Sequence, residues 1–141
     1  MADEQRPSGL LPFVRHMLVC EHAEAAAHNP RRTNIFGIFA NLFLRADLGS
    51  FPCGLGFSVY VMLSDCRRSG TARILVTEAE SAQICYSGVP FRVSLSADPL
   101  EVYGLVFHVS ECTIPREGLY WVELEFDGVP IGLESLSVKS R

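Results

Sequence analysis

The clearest pattern in the sequence is Gly118-Leu119-Tyr120-Trp121-Val122-Glu123-Leu124-Glu125-Phe126, then Asp127-Gly128, then Pro130-Ile131-Gly132-Leu133-Glu134-Ser135-Leu136-Ser137-Val138. Large apolar residues occupy every second position from Tyr120 to Phe126, and Glu123 and Glu125 lie between them. This period of two is typical of a half-buried strand. Asp127-Gly128 supplies a turn, because glycine tolerates the positive φ that tight hairpin turns require. The stretch therefore predicts an antiparallel β-hairpin.

The rest of the chain repeats this pattern at shorter length. Several apolar segments with β-type composition are separated by Gly, Pro, Asn and Asp, and this spacing is typical of a β-sandwich. The further predicted strands lie at 13–20, 33–44, 57–63, 72–77, 84–86, 91–96 and 103–109. We therefore predict a single-domain antiparallel β-sandwich of about eight or nine strands over residues 10–141, preceded by a flexible tail over residues 1–9. The segment Glu21–His28 is predicted as a loop with at most one helical turn, because it is short and ends at Asn29-Pro30.

Composition excludes several classes of function. The 141 residues fit one domain, and 48% hydrophobic residues with 20% charged residues indicate a globular chain. Sixteen acids against twelve bases give a net charge of −4, which argues against nucleic-acid binding. No apolar run approaches the roughly 20 residues that a membrane helix needs. Five cysteines without regular spacing favour free thiols, and free thiols are typical of a reducing cytoplasm. We therefore expect a soluble cytoplasmic protein. No cofactor is predicted.

Several short motifs resemble those of a known family. They are Met17-Leu18-Val19-Cys20-Glu21, then Asn34-Ile35-Phe36-Gly37-Ile38-Phe39, a Phe51-Pro52 step, and Pro115, Gly118 and Tyr120 in a Pro-x-x-Gly-x-Tyr step. Together they resemble a family of uncharacterised small bacterial β-sandwich proteins. The resemblance implies a small β-sandwich with no established activity, and it carries over no catalytic residues.

Three residues are weak candidates for metal ligands: Cys20, His22 and His28. Zinc takes imidazole nitrogen and thiolate sulfur, and Cys20 and His22 share one face of an extended strand. The alternative interpretation is a packed cysteine beside surface histidines, which we favour, so no metal is predicted. Cys20 also supplies the residue type for a nucleophile. An adjacent Glu21 disfavours the thiolate, and no catalytic site is predicted.

The remaining candidates are acids and one aromatic residue. Glu78 and Glu80 share a strand face, where such acids are normally solvated. Leu119 and Trp121 alternate with the inward residues of their strand, so they are predicted to point outward as an interface. We therefore predict a non-enzymatic module for self-association or for binding another protein. The alternatives are a β-sandwich that binds a small molecule or a metal and, less favoured, a small cysteine-dependent hydrolase.

Overall fold

The computed structural model describes residues 11–38, 42–44, 51–94, 98 and 100–140, and the tail predicted over residues 1–9 lies outside them. Every regular element in this part of the chain is a β-strand. The ten strands are β1 (Phe13–Ala26), β2 (Asn29–Ile38), β3 (Leu42–Leu44), β4 (Cys53–Ser64), β5 (Gly70–Glu78), β6 (Ile84–Ser87), β7 (Phe91–Val93), β8 (Tyr103–Ile114), β9 (Gly118–Phe126) and β10 (Val129–Ser140). None of the described residues belongs to a helix long and apolar enough to cross a membrane.

The strands form two sheets that pack face to face. The four-stranded sheet has the order β2-β1-β4-β8, and the six-stranded sheet has the order β3-β10-β9-β5-β6, with β7 also pairing with β5. All pairs are antiparallel except the short pair of β3 with β10. The predicted all-β sandwich is confirmed. The described strands number ten, because the stretch predicted as one strand over 33–44 contains part of β2 and the separate three-residue strand β3.

The core lies between the two sheets, and the alternation in β9 decides which side chains enter it. Tyr120, Val122 and Phe126 are fully buried and Leu124 is nearly so, as the period of two predicts. The predicted turn is also present: Asp127 has φ 52° and Gly128 has φ 79°, and β10 returns antiparallel to β9. From the facing sheet, Phe107 and Val109 of β8 and Val59 and Val61 of β4 enter the same core.

Tyr120 also makes a tight corner at the start of β9. Its hydroxyl donates a hydrogen bond to the backbone carbonyl of Arg116, four residues earlier. This arrangement resembles the tyrosine corner of immunoglobulin-like sandwiches, in which a tyrosine hydroxyl bonds back to the preceding backbone. Burial raises the pKa of Tyr120, so the hydroxyl stays protonated and remains a donor. The Pro-x-x-Gly-x-Tyr step is therefore a structural motif.

The segment Glu21–His28 was predicted as a loop, and that prediction is wrong. β1 continues through Ala26 and forms a hairpin with β2, with Ala23 opposite Ile35 and Ala25 opposite Thr33. Alanine-rich sequence has helix propensity, but pairing with a neighbouring strand overrides so weak a local preference. The pairing partner lies beyond the turn, so local composition does not reveal it.

Candidate functional site

The predicted interface residues lie on the outer face of the six-stranded sheet. The side chain of Leu119 is 41% exposed, and Trp121 is half-buried. Both alternate with the buried residues of β9, so the predicted strand phase is confirmed. The binding of a partner at this surface stays a prediction.

Two residues that the sequence interpretation missed extend this surface. Trp121 pairs with Thr77 of β5, and Thr77 pairs with Ile84 of β6, which places Ile84 on the same face. Leu133 of β10 lies opposite Glu123 on this face. Ile84 is 60% exposed and Leu133 is 57% exposed. We call Ile84, Leu119, Trp121 and Leu133 the apolar patch. The alternation of apolar and polar residues in β10 could have indicated that Leu133 points outward. Ile84, in contrast, joins the patch only because β6 pairs with β5.

Charged groups flank the apolar patch at the end of β9 where the hairpin turn begins. Arg73 donates from Nε and Nη2 to Glu125 Oε1 at 3.0 and 2.8 Å. Glu123 lies between this pair and Trp121 on the same strand face. An apolar centre with a polar margin is the usual arrangement of a protein interface.

A second ion pair borders the patch beside Leu119. Both carboxylate oxygens of Glu78 accept hydrogen bonds from Arg116, and the Ser81 hydroxyl donates to the same carboxylate. The side chain of Glu78 is only 3% exposed, so its interpretation as a solvated acid is wrong. The hydrogen bonds from Ser81 and Arg116 lower the pKa of Glu78. Ala79 N–H donates to the Leu119 carbonyl at 2.9 Å, which ties this corner to the patch.

We expect Glu78 to make the stability of the domain sensitive to acid. A carboxylate whose pKa is lower in the folded chain contributes stability above its unfolded pKa of about 4.3, and that stability is lost as pH falls through the folded pKa. Urea titrations from pH 7 to pH 3 should show a steeper loss in the wild type than in Glu78→Gln. Glu80→Gln is the matched control, because Glu80 is exposed. Parallel pH curves for wild type and Glu78→Gln would contradict the ion pair.

The structure does not bring the three candidate metal ligands together. Cys20 is fully buried, and its thiol points to the Ser58 carbonyl oxygen at 3.6 Å. His28 lies exposed in the turn between β1 and β2. Among the residues that the structure describes, no group of three or more His, Cys, Asp or Glu side chains is arranged to hold a metal. Burial raises the pKa of the Cys20 thiol, which also disfavours a nucleophile.

His22 instead approaches a histidine that the sequence interpretation did not consider. Its ring centre lies 6.1 Å from that of His108 on β8, with the ring planes 20° apart. The strands β1 and β8 are separated by β4, so a flat sheet would hold them about 10 Å apart. The β1–β2 hairpin therefore bends over β4. Its path explains why Ser58 and Tyr60 are buried on the outer face of the four-stranded sheet.

A second observation agrees with the bent hairpin. A Cβ built on Gly104 of β8 would lie 3.6 Å from Thr33 Oγ1 of β2 and 3.1 Å from the Tyr60 hydroxyl. Thr33 of β2 thus lies within van der Waals reach of β8, although β1 and β4 separate these two strands in the sheet. The position of His22 over the sheet follows from this packing.

An apolar cleft opens at one side of the sandwich, between β8 and the segment around β6 and β7. It has a volume of about 330 Å³, and its lining includes Tyr86, Val89, Phe91, Val106 and Phe107. The rings of Phe91 and Phe107 lie 5.2 Å apart between their centres. The volume of the cleft falls at the lower end of the range for small-molecule sites.

All five cysteines are free thiols in this structure. Cys112 is fully buried in the core, and burial raises its pKa to about 12. Cys66 is also buried, and Cys53 and Cys85 are half-buried. This arrangement agrees with the expectation of free thiols, because the cysteines pack as small apolar side chains.

Comparison with known proteins finds one family and several distant folds. A model described as a family of unknown function (DUF6941) matches residues 15–139. No match is found among curated proteins. A β-glucosidase from Listeria innocua is 13% identical with a TM-score of 0.47, over 70% of this chain and 15% of that chain. An immunoglobulin-like protein from Pseudomonas aeruginosa is 13% identical with a TM-score of 0.39, over 94% of this chain and 99% of that chain. The chain thus spans about one seventh of the β-glucosidase.

Proposed function

The chain belongs to DUF6941, a family of unknown function. We propose that it is a non-enzymatic protein-interaction module. The binding surface is the apolar patch on the outer face of the six-stranded sheet. The observation that carries the proposal is the convergence of Ile84, Leu119, Trp121 and Leu133 on one face from three different strands. Three of these four side chains are among the exposed large hydrophobic residues of the domain.

Leaving such an apolar surface in water costs free energy. Isolated exposed apolar residues are ordinary on protein surfaces, whereas clustered ones mark interaction sites. Trp121 lies within the group, and tryptophan is enriched among the residues that dominate interface energies. The Arg73–Glu125 pair and Glu123 provide a polar margin on the same face. A second copy of this chain or another protein can cover the patch, and self-association is the simpler case.

Trp121→Ala should weaken association by more than about 1 kcal/mol, because truncation removes the aromatic anchor of the patch. Sedimentation equilibrium over a concentration series measures this loss for self-association. Folding should remain nearly unchanged, since Trp121 lies outside the core between the sheets. A urea titration of the same variant checks that expectation.

Phe36→Ala is the matched control, because Phe36 is 50% exposed but lies on the other sheet. It should leave association unchanged. If Trp121→Ala unfolds the domain while association of the folded fraction is unaffected, Trp121 is a covered structural residue and the proposal fails. A wild-type chain that stays monomeric at all concentrations rejects self-association and leaves only a different protein as the partner.

The alternatives differ in what supports them. The small-molecule alternative rests on the apolar cleft beside Phe91 and Phe107, whose walls offer aromatic contacts. The cysteine-dependent hydrolase has less support, because the Cys20 thiol is buried and donates a hydrogen bond to the Ser58 carbonyl oxygen. The apolar patch presents more exposed apolar side chains than either, so interaction remains the leading proposal.

A further inference from the structure

We propose that the free edge of β8 and the apolar cleft beside it bind an extended segment of another protein, which adds a strand to the four-stranded sheet. This surface is distinct from the apolar patch, which lies on the outer face of the six-stranded sheet. In strand addition, backbone hydrogen bonds provide affinity, and pockets for alternate side chains provide specificity. Both features occur here side by side.

The backbone edge comes from the position of β8 in its sheet. β4 pairs with one edge of β8, and in the part of the chain that the structure describes no strand pairs with the other edge. From Gly104 to Val109, six residues of β8 pair with β4 in an unbroken register. In an antiparallel pair each strand directs alternate N–H and C=O groups to its partner, so the remaining groups of this segment point away from β4. They can pair with a further strand.

The edge of β8 also lacks the features that usually prevent such pairing. Natural edge strands are short or carry charged residues, prolines or bulges. β2, the other edge of the same sheet, contains Pro30 and Arg32, and the edge strands β3, β6 and β7 have only three or four residues. The segment Gly104–Val109 contains no proline, acid, lysine or arginine. A bulge begins only beyond this segment, where two residues of β8 lie opposite Gly56.

The apolar cleft lies directly beside this edge, and β8 forms one of its walls. Four consecutive residues, Val106–Val109, line the cleft. Successive side chains of a strand point to opposite faces, so a lining of four consecutive residues means that the strand edge itself faces the cleft. The opposite wall includes Val89, which is 84% exposed, and Phe91, which is 42% exposed. Apolar side chains are therefore left in water next to an unpaired strand edge.

The chemistry of the walls selects an uncharged extended segment. Among the described lining residues there is no acid, lysine or arginine. A charge brought into the cleft would lose its hydration without gaining a counter-ion. A strand added to β8 directs every second side chain toward the space between the sheets, where the cleft lies. We therefore expect large apolar residues at alternate positions of the bound segment, in a cleft whose volume of about 330 Å³ holds a few side chains.

A second copy of β8 fits this site less well than a free segment does. Two β8 strands could pair about a two-fold axis. However, the core-facing side chains of such a strand, among them Phe107 and Val109, are already packed inside its own sandwich. They cannot also fill the cleft of a neighbouring copy. The occupant is therefore an extended segment that does not already belong to a sheet.

The test uses soluble synthetic peptides in which threonine alternates with valine around a central phenylalanine, leucine or tryptophan. Each is titrated calorimetrically into the full chain with its thiols reduced, and we expect one peptide per chain. Methylation of all backbone nitrogens of the peptide should weaken binding by about tenfold or more, because it removes several hydrogen bonds. Replacement of the central residue by serine should weaken binding by a similar factor, because the cleft loses its apolar occupant.

Variants of the chain locate the peptide. Val89→Asp should weaken binding by about tenfold or more, because it places a charge in the apolar wall, and the high exposure of Val89 means that folding is little affected. Phe91→Ala should weaken it in the same direction. Leu133→Asp is the matched control, because Leu133 is an exposed apolar residue of the apolar patch and should leave peptide binding unchanged. An equal loss in Leu133→Asp and Val89→Asp would contradict the proposal.

Amide hydrogen exchange of the unmutated chain reports on the edge of β8 directly. Amides of Gly104–Val109 that point away from β4 should exchange rapidly in the free chain and slowly in the presence of peptide. The proposal is overturned if these amides are already protected without peptide, because the chain itself or a second copy then covers the edge. It is equally overturned if none of the peptides binds, or if the methylated peptide binds as tightly as the unmodified one.

Discussion

Phe107→Ala should lower the free energy of unfolding by about 3–5 kcal/mol, the largest loss we expect from a single substitution in this domain. The side chain is 6% exposed and packs in the core between the two sheets, where its ring also contacts the region of Phe91. Truncation removes the transfer free energy of the ring and leaves a cavity that the two rigid sheets cannot close. A reversible urea titration with an unchanged m-value measures the loss.

Phe13→Ala is the matched control for this prediction. Phe13 is the same residue type in a strand of the four-stranded sheet, but it is 63% exposed. Its truncation should cost less than about 1 kcal/mol, because little apolar surface leaves the protein interior. A loss below about 1 kcal/mol for Phe107→Ala would mean that the phase of β8 is inverted.

Gly70→Ala should cost about 1–3 kcal/mol by overpacking. Gly70 is buried at the start of β5, and a Cβ there would collide with the ring of Phe126, which is fully buried. It would also approach Asp127 Oδ1 to 2.9 Å, and that carboxylate accepts the Thr71 N–H at 2.8 Å. The clash therefore disturbs both the core and the hairpin turn. Both thermal and urea unfolding should show the lower stability of Gly70→Ala.

Gly54→Ala provides the control, because a Cβ at Gly54 meets no atom within 4 Å. This substitution should be neutral or slightly stabilising, since alanine loses less backbone freedom than glycine on folding. A double-mutant cycle sharpens the test: Gly70→Ala should cost less in a Phe126→Leu background, where the ring is absent. Equal costs in both backgrounds would place the strain elsewhere.

The fold class, the final hairpin and the direction of its side chains follow from local patterns in the amino-acid sequence. A strand has a period of two, so the residues from Gly118 to Phe126 carry enough information to separate Tyr120 from Trp121. The Asp127-Gly128 turn is also local, because positive φ is a property of a few residue types. For these reasons the outward positions of Leu119 and Trp121 could be predicted without coordinates.

Which residues from distant segments meet depends on how the strands pair and pack. Ile84 joins the patch because β6 pairs with β5, and the carboxylate of the buried Glu78 is held by Arg116 from another segment. His22 lies over His108 because an alanine-rich segment forms a hairpin that bends across β4. Local patterns specify the periodicity of a strand and the faces of its side chains. They do not specify strand order, sheet curvature or the partner of a buried charge, since those depend on contacts between segments far apart in the chain.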